Sequence, residues 1–457
     1  MSDAPGPLAP LPESALPLAC HPRVYLSCPG LNGRINFLLI VNNQLLSHSR
    51  SAIRQQVWRG NMRIEHFETI SCDAGWRNYY FLKVVTSDGT VGWSEYDESF
   101  GPPGLTAVIE QLGARLIGKS VYDHEEAYGR LAASLRPAPY GLSAEAIGAI
   151  ENALLDAKAK SLGLPVYQLL GGKHRDSVPI YWSHCATWRI SHPQLYPPAI
   201  VDLDGVRQAG EDARKSGIAA LKTNLFINER GKPRQWMAGF GSPYAPSLNV
   251  DKALLRNLRA HLEALRDGAG PDVDILVDLN FNARTEGYLS LINAIKDFGL
   301  FWVELDIYNP AAMAYIRQRS HAPIAACETL FGVRQFLPYF QAQSMDVAIV
   351  DAVWNGVWQA MKIANVADAF DVNIAPHNFY SHLSTMMNVH FAAAVPNLRV
   401  MEVDVDRLAW DDELFTRTPQ IERGGILVPD APGWGCEPIE AALRAHPPQV
   451  RRSHLGL

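Results

Sequence analysis

From residue 176 onward the chain repeats one unit: a short apolar run of strand character, then a stretch of helical periodicity. The runs fall at 178–182, 219–223, 274–278, 301–304, 324–327, 347–350, 372–375 and 399–403. Strands that alternate with helices at this spacing predict parallel β/α units. Eight of them fit a (β/α)8-type, modified TIM barrel over 176–415, within the α/β class.

The ends of these runs carry the chemistry. Asp278 closes one, and Glu304, Glu328, Asp351, His377 and Glu402 close the next five, at intervals of 26, 24, 23, 26 and 25 residues. In a barrel the carboxyl ends of the strands converge on one face, where active sites sit. A single acid after a strand is ordinarily a helix N-cap or a solvated loop residue. Six ionisable groups in one phase, one of them a histidine after Ala375-Pro376, predict a shared site instead. Three carboxylates from neighbouring strands, with no Cys or His among them, suit a hard divalent cation such as Mg²⁺.

The text before the barrel differs. Residues 62–175 read as a small α+β domain, with strands from Met62 and over 79–86 and 91–95 and helices over 105–116 and 144–162. The second helix stops at Gly163 and Pro165. Residues 1–61, rich in Pro, Ala and Leu at the start, lack any period and read as a poorly ordered extension. The segment 416–457 has strand and turn character and is expected to return to the first domain and complete a capping unit. Composition excludes several classes: a net charge of −6 with 47% hydrophobic and 19% charged residues fits a folded soluble protein and no basic nucleic-acid footprint. Six scattered cysteines without a C-x-x-C pair suit a reducing cytoplasm, and no apolar run is long enough for a membrane helix.

Several motifs together resemble the enolase superfamily, specifically its mandelate racemase subgroup, from Met62 to the C-terminus. Ala146-x-x-Ala149-x-x-Asn152-Ala153-x-x-Asp156, running into Gly163-Leu-Pro-Val-Tyr-Gln-Leu-Leu-Gly-Gly, is similar to that family's junction between capping domain and barrel. Val277-Asp278-Leu-Asn280, Trp302-Val-Glu304 and Cys327-Glu328-Thr329 resemble its metal-ligand strands, which implies one Mg²⁺ per subunit on Asp278, Glu304 and Glu328. Asp351 and His377 resemble its strand-six and strand-seven dyad, and Glu402 its strand-eight carboxylate. The resemblance also implies a homo-oligomer acting on a small-molecule acid.

Two departures shape the expected chemistry. Lys222-Thr-Asn224 stands where members commonly have Lys-x-Lys, so the second lysine base is missing. Leu305-Asp306 follows Glu304 in place of the usual Glu-Pro, and an insertion over 231–247 follows strand two. With His377 as a base on one face, simple inversion becomes difficult. Elimination of a β-hydroxyl, aided by the proton that His377 has taken up, remains open. The expected activity is therefore a Mg²⁺-dependent dehydratase of an aldonate or aldarate, a hydro-lyase giving a 2-keto-3-deoxy acid. Asp351 would fix the His377 tautomer, Lys222 would add positive charge at the substrate carboxylate, and Glu402 would hydrogen-bond it, being protonated or becoming so on binding. Trp76 and Arg77, in the loop from Cys72 to Asn78, are expected to contact substrate, as are Asn224, Asn280, Tyr380 and His382. The alternatives are a racemase, epimerase or cycloisomerase, with a second acid/base group at His184 or His382, and an inactive barrel with a binding role. The complete set of strand-end residues argues against the last.

Overall fold

The computed structural model describes residues 62–137, 140–229, 231–240 and 248–450. The extension 1–61, residues 241–247 of the insertion and the tail 451–457 lie outside the described residues.

Strands β1 (Ile64–Ala74), β2 (Arg77–Thr86) and β3 (Val91–Tyr96) form an antiparallel sheet. Helices α1 (Leu105–Gly113) and α3 (Leu142–Leu162) pack on it, and α2 (His124–Ala133) packs on α3. The helix read over 105–116 ends at Gly113 and continues as a single 3-10 turn, Ala114–Leu116. Sequence periodicity misses α2 because its buried stripe is only His124, Ala127 and Leu131. The stop of α3 acts as read: Gly163 takes a left-handed φ of +67° and its N–H caps the carbonyls of the last turn.

The small residues of α3 exist for close approach on two sides. Gly92 of β3 lies so near that a Cβ there would sit 2.2 Å from the Ala153 carbonyl oxygen. On the other side a Cβ at Gly148 would sit 2.6 Å from the Trp354 carbonyl oxygen. Next to it, Asn152 Nδ2 donates to Ala352 O at 3.0 Å, and Val357 N–H donates back to Asn152 Oδ1 at 2.7 Å. Helix α3 thus grips the turn that follows Asp351. Gly148→Ala is expected to destabilise the fold by about 1–3 kcal/mol, since backbone rather than a flexible side chain must move. Urea unfolding checks this; an unchanged midpoint would show that the turn yields freely.

Eight parallel strands close a barrel: β4 (Ser177–Ser183), β5 (Ala220–Asn224), then, after the hairpin β6 (Phe226–Glu229) and β7 (Lys232–Gln235), β8 (Asp274–Asp278), β9 (Trp302–Glu304), β10 (Ile324–Ala326), β11 (Val347–Asp351), β12 (Asn373–His377) and β13 (Met401–Asp404). Pairing of Met401–Asp404 with 180–183 of β4, and a bridge between Ile374 and Leu398, close the ring. Its interior is filled by Tyr181, Leu276, Trp302, Val347, Ile349 and Ala375. The barrel with its capping domain is the architecture the sequence predicts, with one refinement. Seven crossovers carry helices, but β13 is followed by the hairpin β14 (Ile421–Glu422) and β15 (Gly425–Leu427), which docks antiparallel on β4. The chain then crosses to the cap. Trp434 N–H meets Asp156 of α3 at 2.9 Å, and Lys83 of β2 pairs with Glu440 at 2.5 Å. Among the described residues no helix is long and apolar enough to cross a membrane.

Candidate active site

The carboxyl ends of the barrel strands open into one cavity of about 1120 Å³. Lys222, Asn224, Asp278, Glu328, His377 and Glu402 face it, and Trp76 from the β1–β2 turn covers it. The described part of the insertion also lines it, through Pro233 to Ala238 and Phe240.

His377 is held from behind. Its Nδ1 lies 2.6 Å from Asp351 Oδ2, while Asp351 Oδ1 accepts the Trp354 N–H at 2.7 Å. The in-register pairing of Asp351 with His377 across β11 and β12 fixes this contact in the sheet itself. The remaining nitrogen, Nε2, lies 3.6 Å from Glu328 Oε2. Burial pulls the imidazole down, but Glu328, Asp351 and Glu402 outweigh it and hold His377 up at about 10.

Lys222 sits among carboxylates: 2.8 Å from Glu402, 3.2 Å from both Glu304 oxygens and 3.9 Å from Asp278. Burial disfavours the ammonium, yet Glu304 and Glu402 raise its pKa well above the usual lysine value. Glu402 behaves oppositely. Burial pushes it up, but Lys222 and His377 hold it well below the carboxylate range. It also accepts the Asn378 N–H at 2.9 Å and the Ser183 hydroxyl. Lys222, at 2.8 Å, thus favours the ionised form of Glu402 in this arrangement, so the hydrogen-bond donor expected from the sequence requires that Glu402 take up a proton as substrate binds.

Asp278 and Glu304 lie side by side in register, and Glu328 follows β10 one strand away. Asn280, at φ +47°, turns both its backbone N–H and its amide onto Asp278 at 2.8 Å, so it orients this carboxylate as well as lining the cavity. Burial, with repulsion from Asp278 and Glu402, pushes Glu304 up to about 8 despite Lys222; burial and neighbouring acids push Glu328 up too. Such crowding of buried oxygens fits the donor set of a hard divalent cation. Among the described residues, however, no three ligating side chains converge as a ready cluster. Glu304 turns to Lys222, and Glu328 to His377.

Three expected substrate contacts fall elsewhere. Arg77 lies under the wall, donating to the Phe379 carbonyl, its guanidinium 4.7 Å from the Trp76 ring centre and 4.8 Å from that of Phe379. His382 turns outward to Asp412 at 2.8 Å, and burial holds it down at about 4. Tyr380 is buried and donates its hydroxyl to Asp351 Oδ2 at 2.6 Å. It therefore positions the dyad. Tyr380→Phe is expected to lower kcat by about 5- to 20-fold with little change in KM, the cost of one buried hydrogen bond to a charged group. A KM effect alone would return Tyr380 to substrate binding. Asp306, which the sequence shows only as a departure after Glu304, accepts the Cys327 N–H at 2.6 Å and so sets the backbone that presents Glu328.

Residues 63–171 match the mandelate racemase/muconate lactonizing enzyme N-terminal domain, and residues 205–442 match the enolase C-terminal domain-like family. The chain belongs to the enolase superfamily. Within it, this member is 29% identical to a D-galactonate dehydratase family member, RspA, of Halomonas elongata, over 86% of this chain and 97% of the relative. It is 27% identical to a D-xylonate dehydratase of Haloferax volcanii, over 85% and 90% of the two chains. A crystal structure from Burkholderia xenovorans strain LB400, provisionally named an L-alanine-DL-glutamate epimerase and bound to magnesium and fumarate, is 60% identical. It covers 86% of this chain and 98% of its own, with a TM-score of 0.84.

Proposed function

We propose that this enolase-superfamily enzyme is a Mg²⁺-dependent acid-sugar dehydratase, a carbon–oxygen lyase. The observation that carries the reading is the His377–Asp351 pair at 2.6 Å beside three strand-end carboxylates, with the amide of Asn224 in place of a second lysine. Asp278, Glu304 and Glu328 would hold the cation, in keeping with the magnesium in the 60%-identical structure. When bound, Mg²⁺ supplies positive charge against the substrate carboxylate as the α-proton leaves. His377 takes that proton on Nε2, and Asp351 keeps the tautomer by holding Nδ1. Lys222 stays charged beneath the same carboxylate. Loss of the β-hydroxyl then gives an enol that becomes the 2-keto-3-deoxy acid. The dehydratases among the relatives support this chemistry.

A second reading, epimerisation at the α-carbon, draws on the name of the 60%-identical structure. It needs an acid or base on both faces of the substrate. Incubation in D₂O with a panel of aldonic and aldaric acids and with L-alanyl-L-glutamate separates the two. The dehydratase is expected to release a 2-keto-3-deoxy acid with one solvent hydrogen at C3. An epimer carrying deuterium at the α-carbon, with no keto acid from any sugar acid, would replace the lyase reading by the other.

A further inference from the structure

Two imidazoles meet this cavity with a strand-end aspartate behind each. His184 follows β4, and its Nδ1 lies 2.8 Å from Asp404 Oδ1 at the end of β13. The arrangement repeats that of His377 Nδ1 on Asp351. Both rings line the cavity, and both stand beside Phe379, with ring centres 6.0 and 5.1 Å from it. Strand β13, which carries Glu402, lies between β4 and β12, so the two histidines flank the Glu402 strand. The backbone at His184 has φ +51°, a left-handed conformation that a non-glycine residue seldom adopts. The Trp188 ring, centred 4.4 Å away, packs against the imidazole. With Nδ1 on Asp404, Nε2 is the ring's remaining polar atom.

The proposed elimination leaves one task open. Hydroxide is a poor leaving group, so the departing oxygen needs a proton as its bond to C3 breaks. Giving this task to His377 makes one ring serve two atoms in turn. Lys222 is committed to Glu304 and Glu402, and the Asn224 amide does not give up a proton near neutral pH.

We propose that His184, oriented by Asp404, is the general acid for the departing β-hydroxyl, while His377 acts as the α-proton base. The assignment rests on the dehydratase reading. The α C–H bond breaks, its proton goes to His377 Nε2, and its electron pair is first held by the substrate carboxyl group and then returns to form the C2–C3 double bond. The C3–O bond breaks with its electrons on oxygen, which takes the Nε2 proton of the His184 imidazolium and leaves as water. His184 regains a proton from solvent and His377 returns its own to solvent; the enol takes up a solvent proton at C3 and gives up the proton of its C2 hydroxyl as the keto group forms. Asp404 is a positioning residue in this scheme.

The test uses the full-length Mg²⁺-loaded enzyme in D₂O with a sugar acid that the wild type converts to a keto acid. In His184→Asn, keto-acid formation should fall about 10²-fold or more, while deuterium still washes into the α-position of recovered substrate. A β-fluoro analogue of the same acid, whose fluoride leaves without a proton, should be turned over by His184→Asn within about tenfold of the wild-type rate. Asp404→Asn should give a smaller loss together with a shifted acidic or basic limb of the pH–rate profile. Exchange and elimination falling together, or the fluoro analogue failing in a variant with a wild-type thermal midpoint, would overturn the assignment. So would unchanged keto-acid formation. A wild type that makes no keto acid but inverts the α-carbon refutes the dehydratase reading itself, and is distinguished by its products before any variant is examined.

Discussion

A His377→Asn enzyme is expected to lose about 10³- to 10⁴-fold in kcat while keeping its fold and its affinity for the divalent cation. The residue ends β12 inside a sheet whose register does not depend on the imidazole, since residues 373–377 pair with β11 through the backbone. Asparagine can still reach toward Asp351, so no buried carboxylate is abandoned. What disappears is the only group that the proposed chemistry uses to take the α-proton. Asp351→Asn should follow it with a smaller loss, because an amide in place of the carboxylate no longer selects the tautomer with a free Nε2. Steady-state turnover, α-proton exchange in D₂O and circular dichroism together check the claim. A His377→Asn enzyme within tenfold of wild type would remove His377 from the mechanism.

Much of this site was readable from spacing alone. Residues one β/α unit apart at the ends of parallel strands must share one end of the barrel, and Asp278, Glu328, His377 and Glu402 do line one cavity. The same logic contains Asp404, two residues past Glu402 and so on the same side of β13, but a lone acid beyond the expected strand end did not stand out. Direction was harder to read than position. The chain from Phe379 to His382 turns sharply into the next helix, so Tyr380 points back to Asp351 and His382 points away to Asp412. Sequence gives their distance from the strand, not the sense of that turn. Arg77 misleads for a related reason: the β1–β2 turn sends Trp76 into the cavity, and strand alternation sends its neighbour underneath. The pairing of Glu402 with Lys222 was out of reach as well, because the 2.8 Å contact runs from β13 past β4 to β5, which no local pattern encodes.

Removing the divalent cation is expected to abolish turnover and to lower thermal stability, and Mg²⁺ should restore both. Lys222 lies against Glu402 and Glu304, and Glu328 lies 3.6 Å from His377 Nε2. The nitrogen proposed to take the α-proton thus neighbours a carboxylate proposed to hold the cation. Bringing Asp278, Glu304 and Glu328 onto one cation would relieve their mutual repulsion. Because binding then favours the folded state, Mg²⁺ at 100 times its Kd should add about 2.7 kcal/mol of stability, read as a rise in the thermal midpoint. Glu328→Gln should weaken the cation by at least roughly 10- to 100-fold, the range that loss of an outer-shell partner alone produces. Zn²⁺ should substitute poorly, for the site offers oxygen and neither nitrogen nor sulfur to it. Chelator titration followed by metal add-back, with turnover and melting measured on the same samples, decides the matter. Full turnover in excess chelator would mean that Lys222 alone carries the charge stabilisation, and that these carboxylates serve only to hold it.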